Sequence, residues 1–315
     1  MKVPTTLLFM LASTLAISAG CDAGDEVEPE FAGEVEFRPT GGVWLNTSSL
    51  GSFQFSALDL DGHVLDGLTL TDVLIPRPNN QWLRMDSVYV SSGEIRGKRG
   101  WTHYTGADLL GSRWLLTPVG GAPVEMWISG YVPGSGSDAR YTFKTLGGGG
   151  ASIHVCDPDG QGDYSALALK DITVNGATGA IAPRPKTLYL ACVSGAVGKA
   201  RTWGYSPNWL ANFEVGVRMV RADYCFDGAS WTMNGTGVQV RDPWDINEFL
   251  HSNYATEAVW TAAGLACLSQ PRRTEYSAAQ VICGGAAVPT CPANVSMDTY
   301  PGAVYWTKVG APPAP

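Results

Sequence analysis

A chain of 315 residues is long enough for about two domains, and 45% hydrophobic residues let it bury a core. Only 16% of residues are charged, the net charge is −8 and no basic face is evident, which argues against nucleic acid as a partner. The 38 glycines and 20 prolines suit turn-rich β structure better than long helices.

The N-terminus reads as a signal peptide over residues 1–20. Lys2 is a minimal basic start, and the apolar stretch TLLFMLASTLAIS is too short to span a bilayer. It ends in Ser18-Ala19-Gly20-Cys21, which resembles the bacterial lipobox, where the chain is cut before the cysteine and a lipid is attached to it. The resemblance implies acylation of Cys21 and a membrane partner through that anchor. Ser18 stands where the lipobox usually carries Leu, and an ordinary secretory cleavage at the same small residues is the alternative. Residues 21–40 are acidic and punctuated by Pro and Gly, as a solvated tether should be.

A β-rich domain is expected over residues 41–148. Leu45, Leu50, Phe55, Leu60, Leu65, Leu70 and Ile75 recur every five residues. This resembles pentapeptide repeats, which stack their apolar residues inside a right-handed β-helix. A meander of ordinary strands whose leucines align is the competing reading. Strand-like segments follow: WLRMDSVYV from Trp82, VEMWISGYV from Val124 and ARYTFKTL from Ala139, with GSGSD as the loop of a hairpin between the last two. The GGGG run at 147–150 reads as a domain boundary.

The second domain is expected over 149–285, with residues 286–315 irregular. SIHVC and TLYLACV read as strands and SGAVGKARTWGY as a short helix. Trp209, Phe213, Val217, Val220 and Tyr224 fall three or four apart, an apolar helical stripe. Asn234-Gly235 signals a tight hairpin turn. Asp242-Pro243 reads as the start of a further helix, and EAVWTAAGLACL as a hairpin around Gly264.

There are seven cysteines. With Cys21 acylated, Cys156, Cys192, Cys225, Cys267, Cys283 and Cys291 remain, an even set that in an exported chain argues for disulfides, in one of fifteen pairings. The expected pairing is Cys225–Cys267, Cys283–Cys291 and Cys156–Cys192. Cys225 as a nucleophile is disfavoured, because Asp223 and Asp227 oppose a thiolate and His63, His103, His154 and His251 are scattered.

No zinc-ligand spacing occurs, SGAVGKA fails the phosphate-loop pattern, and no Gly-x-Ser-x-Gly elbow is present. Asp157, Asp159 and Asp163 alternate around glycine as calcium ligands can, without the downstream Glu of an EF-hand. Asx turns are the simpler reading there. Asp223 with Arg218 or Arg221 reads as an ion pair at a helix end. Trp203, Tyr205, Trp209, Trp231, Trp244 and Trp260 suit either a core or, where exposed, a platform for sugar or peptide.

VRMVRADYCFDG, WGYSP at 203–207 and EAVWTAAGLACL together resemble the ADYC domain family, found mostly in exported proteins of myxobacteria and their relatives. The resemblance covers roughly residues 150–275. It implies an exported protein and a disulfide-bonded domain, and it implies no activity, since the family has none established. Two cysteines common in the family, near Ala200 and before Arg218, are missing here, as the loss of one disulfide would leave them.

The sequence therefore predicts an α+β, β-rich protein of the bacterial cell envelope, lipid-anchored or else secreted. No cofactor is expected. The expected function is a non-catalytic binding or structural module with an envelope polysaccharide or protein as partner. The alternative is an envelope hydrolase working through a carboxylate pair on polysaccharide or peptidoglycan.

Overall fold

The computed structural model describes residues 43–51, 53–134, 139–232, 237–250 and 253–310. The expected signal peptide, Cys21, the expected tether, most of the GSGSD loop, the expected Asn234-Gly235 turn, His251 and residues 311–315 lie outside the described residues.

The chain begins with short strands, β1 Ser49–Leu50, β2 Phe53–Gln54 and β3 Ala57–Asp59, then a long one, β4 Leu68–Arg77, and β5 Gln81–Arg84. Next come β6 Ser87–Ser91, β7 Glu94–Arg99 and β8 Thr102–Thr105, followed by β9 Arg113–Pro118, β10 Val124–Val132, β11 Arg140–Leu146 and β12 Ser152–His154. Two long strands, β13 Ser165–Val174 and β14 Ile181–Cys192, lead into helices α1 Ala196–Thr202 and α2 Leu210–Arg221. The remainder holds β15 Val238–Arg241, β16 Ala255–Thr261, β17 Gly264–Leu268, β18 Ile282–Cys283, β19 Ala286–Ala287 and β20 Ala303–Val309.

Among the described residues, nine strands form one sheet, in the order β3-β14-β13-β11-β10-β9-β4-β5 with β12 beside β11. A four-stranded sheet has the order β15-β20-β16-β17, and β6-β7-β8 make a three-stranded one. The expectation of a β-rich α+β protein with several disulfides is met. Among the described residues no helix is long and apolar enough to cross a membrane.

The pentapeptide segment, where described, runs as antiparallel strands instead of the turns of a β-helix. In a regular strand a spacing of five would send Leu70 and Ile75 to opposite faces. A bulge removes the conflict: Leu70 pairs with Leu116 while Asp72 pairs with Leu115, so Thr71 is the extra residue. Leu70 and Ile75 therefore enter the same core.

Strands β13 and β14 explain why SALAL and TLYLAC read as unbroken apolar runs: both of their faces are buried. Leu167, Leu169, Tyr189 and Ala191 face a core completed by Phe213, Val217 and Val220 of α2. Ala166, Ala168, Leu188 and Leu190 face a second core with Trp114, Ile128, Tyr141 and Phe143. The strand pair is a wall shared by both cores. The glycine run at 147–150 makes the turn between β11 and β12, which pair with one another.

The helix predicted from Asp242 does not form. Its carboxylate does cap the chain, accepting from the amides of Trp244, Ile246 and Asn247 at 2.9, 3.1 and 2.9 Å. Asp245, at φ +54°, then leaves the helical region, and the Asn247 side chain is drawn inward to the Trp203 carbonyl and the Tyr205 hydroxyl. The hairpin around Gly264 forms as expected, from β16 and β17.

Candidate functional site

The segment Ala222-Asp223-Tyr224-Cys225 begins where α2 ends. The apolar stripe of that helix buries Phe213, Val217 and Val220, while Trp209 at its start stays exposed. Ala222 takes the left-handed conformation, φ +52° and ψ +40°, and its amide and that of Asp223 return to the last turn of the helix, at Met219 and Arg218. The reversal turns the next side chains into the interior.

Asp223 has no solvent exposure. Its carboxylate accepts from Arg218 Nη1 at 2.9 Å and from the amides of Asp227 and Gly228 at 3.1 and 3.0 Å. The predicted helix-end ion pair is therefore present. Burial still pushes its pKa above the ordinary 3.8, against the pull of Arg218 and the Gly228 amide. Arg218 also grips Glu214 Oε1, and donates to the Thr178 carbonyl at 2.9 Å, while Glu214 Oε2 accepts from the Ile181 amide. The motif thus fastens α2 to the β13–β14 turn.

Tyr224 is stacked on Trp260 with ring centroids 5.7 Å apart. Its hydroxyl donates to Glu257 Oε1 and accepts from the Arg272 amide, each at 2.9 Å. Burial first, and then the Glu257 charge, hold this phenol well above its ordinary pKa. Arg272 completes the group: Nε and Nη2 reach both oxygens of Glu257, and Nη1 and Nη2 end on the carbonyls of Val220 and Met219. The Val220 carbonyl has no helical partner and that of Met219 accepts only from the Ala222 cap amide, so the guanidinium serves as a further, buried cap.

Cys225 is bonded to Cys283, Cys267 to Cys291 and Cys156 to Cys192. The last pair is the predicted one; the other two correct the expected Cys225–Cys267 and Cys283–Cys291. The cause lies in the chain after β17. It folds back so that Leu268 donates to the Pro289 carbonyl and Cys291 to that of Leu268, which seats Cys291 against Cys267 among Val259 and Val295. Cys225, past the turn at Ala222, meets the β18 segment instead.

The acids Asp157, Asp159 and Asp163 are not gathered around an open centre. Asp159 accepts from the amides of Gln161 and Asp163, and Asp163 holds Arg140 Nη1 and the Ser165 hydroxyl. Asp159 and Asp163 form turn contacts, the Asp157 amide and carbonyl bond to Thr47 and Ser194, and among the described residues no cluster of three or more ligating side chains is found. His63 pairs with Asp59, His103 with the Tyr89 hydroxyl, and His154 lies on the Tyr164 ring.

The aromatic residues divide. Trp203, Tyr205 and Trp260 are core, and Trp231 is half-buried between Tyr224 and Tyr276. Trp209 and Trp244 are on the surface, 53% and 36% exposed, with ring centroids 5.5 Å apart and planes 38° apart. Behind them Trp244 meets Tyr305 edge-on at 6.2 Å, and Tyr305 lies against Tyr205 at 4.6 Å. The Asp242 carboxylate holds the backbone under Trp244. The outer pair is therefore a fixed surface continuous with the core.

Sequence reading does not find Glu257, Arg272 or Glu214. The available signal is a charged residue inside an apolar run, as in the Thr256-Glu257-Ala258-Val259 stretch, since a buried charge requires a partner.

The fold and the motif define a disulfide-bonded α+β domain closed by a buried polar network. The ADYC domain model matches residues 106–274, more than half of the chain, and the protein belongs to the ADYC domain family. The match starts at Gly106, so it takes in β9 to β12 together with the helices and the hairpin. No curated protein and no solved structure matches the chain.

Proposed function

We propose that this protein is an exported, lipid-anchored module of the bacterial cell envelope that binds polysaccharide without transforming it, through the face made by Trp209 and Trp244. The carrying observation is the contrast between the motif residues and the two exposed indoles. The motif residues Asp223, Tyr224 and Cys225 are occupied in an ion pair, a buried hydrogen bond and a disulfide. The two indoles, by contrast, are exposed and held in place. Indole faces offer apolar area and polarised C–H contacts to a sugar ring at small conformational cost. Export is supported by the leader-like N-terminus and by three disulfides, which persist in oxidising compartments.

The hydrolase alternative needs two carboxylates free to exchange protons with substrate. The buried acids Asp223, Glu257 and Asp242 are instead each engaged by an arginine, a tyrosine or backbone amides.

Two measurements test the reading. Intact mass of the protein from native membranes reads the lipid on Cys21. Co-sedimentation with purified peptidoglycan sacculi and with isolated envelope polysaccharide reads binding; Trp209→Ala and Trp244→Ala should each abolish most of it. Undiminished binding by both variants would remove the aromatic face from the proposal, and release of reducing ends would replace it with hydrolysis.

A further inference from the structure

We propose that residues 273–287 form a flap latched by the Cys225–Cys283 disulfide, and that two-electron reduction of this bond by a dithiol opens the flap off Trp231 while the rest of the fold stays closed. The latch is separate from the Trp209–Trp244 face. It takes from the reading above only an envelope location, where thiol–disulfide oxidoreductases of the dithiol class work.

The segment is fixed at both ends and loosely held between them. Before it, Arg272 is fully buried, paired with Glu257 and bonded to carbonyls of α2. After it, the Pro289 carbonyl accepts from the Leu268 amide at 2.8 Å, and Cys291 is bonded to Cys267. Neither link passes through residues 273–287. Within them only Ala278 and Val281 are buried, while Thr274 to Ser277 and Gly284 to Ala287 are exposed. Their hydrogen bonds are local. Ser277 and Gln280 close a capping box, Arg273 pairs with Glu275, and Val281 donates to the Ala278 carbonyl and accepts from the Val288 amide. Strands β18 and β19 add two residue pairs, Ile282 with Ala287 and Cys283 with Ala286, around Gly284 and Gly285 at φ +59° and +87°. So short a hairpin has no stability of its own.

What fastens the flap to the body is the burial of Ala278 and Val281, the edge-on contact of Tyr276 with Trp231 at 5.3 Å, and Cys283 at Cys225, whose sulfur also lies 3.5 Å from the Ile282 carbonyl. Two small apolar side chains and one ring edge do little against the chain entropy of ordering the whole segment. The cross-link removes much of that entropy, because Cys225 stands on the fixed turn that ends α2. Trp231 lies between Tyr276 of the flap and Tyr224 of the motif, 6.2 Å away. Opening therefore uncovers an indole beside the motif, at the rim where Phe226 also packs.

The chemistry needs access to one sulfur. Cys225 and Cys283 are half-buried and the other four bonded cysteines are buried. Cys283 is the more open of the two, since its neighbours Ile282 and Gly284 are exposed while Tyr224 beside Cys225 is not. One thiolate of the dithiol attacks the Cys283 sulfur, the S–S bond breaks, and Cys225 leaves as a thiolate that takes up a proton. The second thiolate attacks the mixed disulfide, frees Cys283 as a thiol and closes the reductant's own disulfide. Two electrons pass to the cysteine pair, and the reverse exchange closes the latch.

Hydrogen exchange and hydroxyl-radical footprinting, both mapped by peptide mass, are measured on the purified chain with Cys21→Ser. The chain is compared oxidised, equilibrated with graded mixtures of reduced and oxidised dithiothreitol, reoxidised, and with Cys225→Ser and Cys283→Ser together. Reduction and the double substitution should each speed exchange over 273–287 at least about tenfold and raise oxidation of Trp231 several-fold. Exchange in β13, β14 and α2 should stay as it was, and reoxidation should restore protection of the flap. Cys225–Cys283 should also be half reduced at a less reducing mixture than either other disulfide. The reduced parent gives this readout without any substitution, so a double variant that misfolds leaves the comparison intact. Unchanged exchange over 273–287 in the reduced parent would overturn the proposal, as would loss of protection in α2 and β14 together with the flap. Reduction of Cys267–Cys291 at the same mixture would overturn it too, by making the latch one structural disulfide among three.

Discussion

Arg272 and Glu257 form a two-point ion pair, Nε to Oε1 at 2.8 Å and Nη2 to Oε2 at 3.2 Å, with neither side chain exposed to solvent. Removing one partner leaves the other charged and buried, a loss of about 3–5 kcal/mol. Glu257→Ala should lower stability by that amount, and it also takes the acceptor from the Tyr224 hydroxyl. Replacing both with apolar residues, as in Glu257→Leu with Arg272→Met, should bring stability part of the way back, even though two carbonyls of α2 lose their cap. Guanidinium unfolding without reductant measures both, and a double variant no better than Glu257→Ala would show that the cap, not the charge pairing, dominates.

Gly228 combines two demands. Its φ is +89°, and a Cβ there would lie 2.0 Å from the carbonyl oxygen of Ala177. Its amide is meanwhile held by Asp223. Gly228→Ala should therefore cost at least about 3 kcal/mol, since backbone must move against backbone. Gly176, beside Ala177 in the β13–β14 turn, has open space around it and an ordinary φ. Gly176→Ala should stay within about 0.5 kcal/mol of the parent. Thermal unfolding of the pair is the measurement, and equal losses would mean that the Asp223 turn yields more easily than its packing implies.

Much of this region is legible in the sequence for a simple reason. A helix that buries one side repeats its apolar residues at 3.6, which gives Phe213, Val217 and Val220; an ion pair of Asp223 with Arg218 or Arg221 is expected at the helix end, and the left-handed turn at Ala222 selects Arg218. The Gly264 hairpin is local too. What fails is non-local or irregular. The bulge at Thr71 is a backbone event that leaves only a spacing of five, which a β-helix would also produce. The partners of Cys225 and Cys267 depend on how residues 282–291 fold back along β17. Glu257 and Arg272 find each other only after the hairpin closes. Asp242 is a true capping residue, but its carboxylate takes three amides of an irregular turn.

Asp59 gives the fold a pH dependence in acid. Burial raises its pKa, but the amides of His63 and Asp61, the His63 ring and Arg184 together bring it below the ordinary 3.8. The folded state then holds the proton less readily than the unfolded chain. The stability it contributes is present above about pH 3.8 and fades as pH falls through the lower folded value. Asp59→Asn should be less stable than the parent at pH 6, with the gap closing toward pH 2. Urea unfolding across that range checks it, and a gap constant with pH would mean that packing, not ionisation, is what the substitution disturbs.

The disulfides should open in order of exposure. Chain-entropy arguments for loops of 24, 36 and 58 residues give about 3.5 to about 4 kcal/mol each, too close to rank them. Access differs more. Cys156, Cys192, Cys267 and Cys291 are buried, whereas Cys225 and Cys283 are both half-buried at the rim of their core. A reducing thiolate must reach a sulfur along the bond axis, so limiting reductant should break Cys225–Cys283 first. Trapping with a mass-tagged alkylating agent, followed by peptide mapping, should place the first two labels on Cys225 and Cys283 while the native circular dichroism persists. Early labels on Cys156 or Cys192 would mean that a core opens locally before the rim is attacked, and that the wall of β13 and β14 is less stable than its burial on both faces implies.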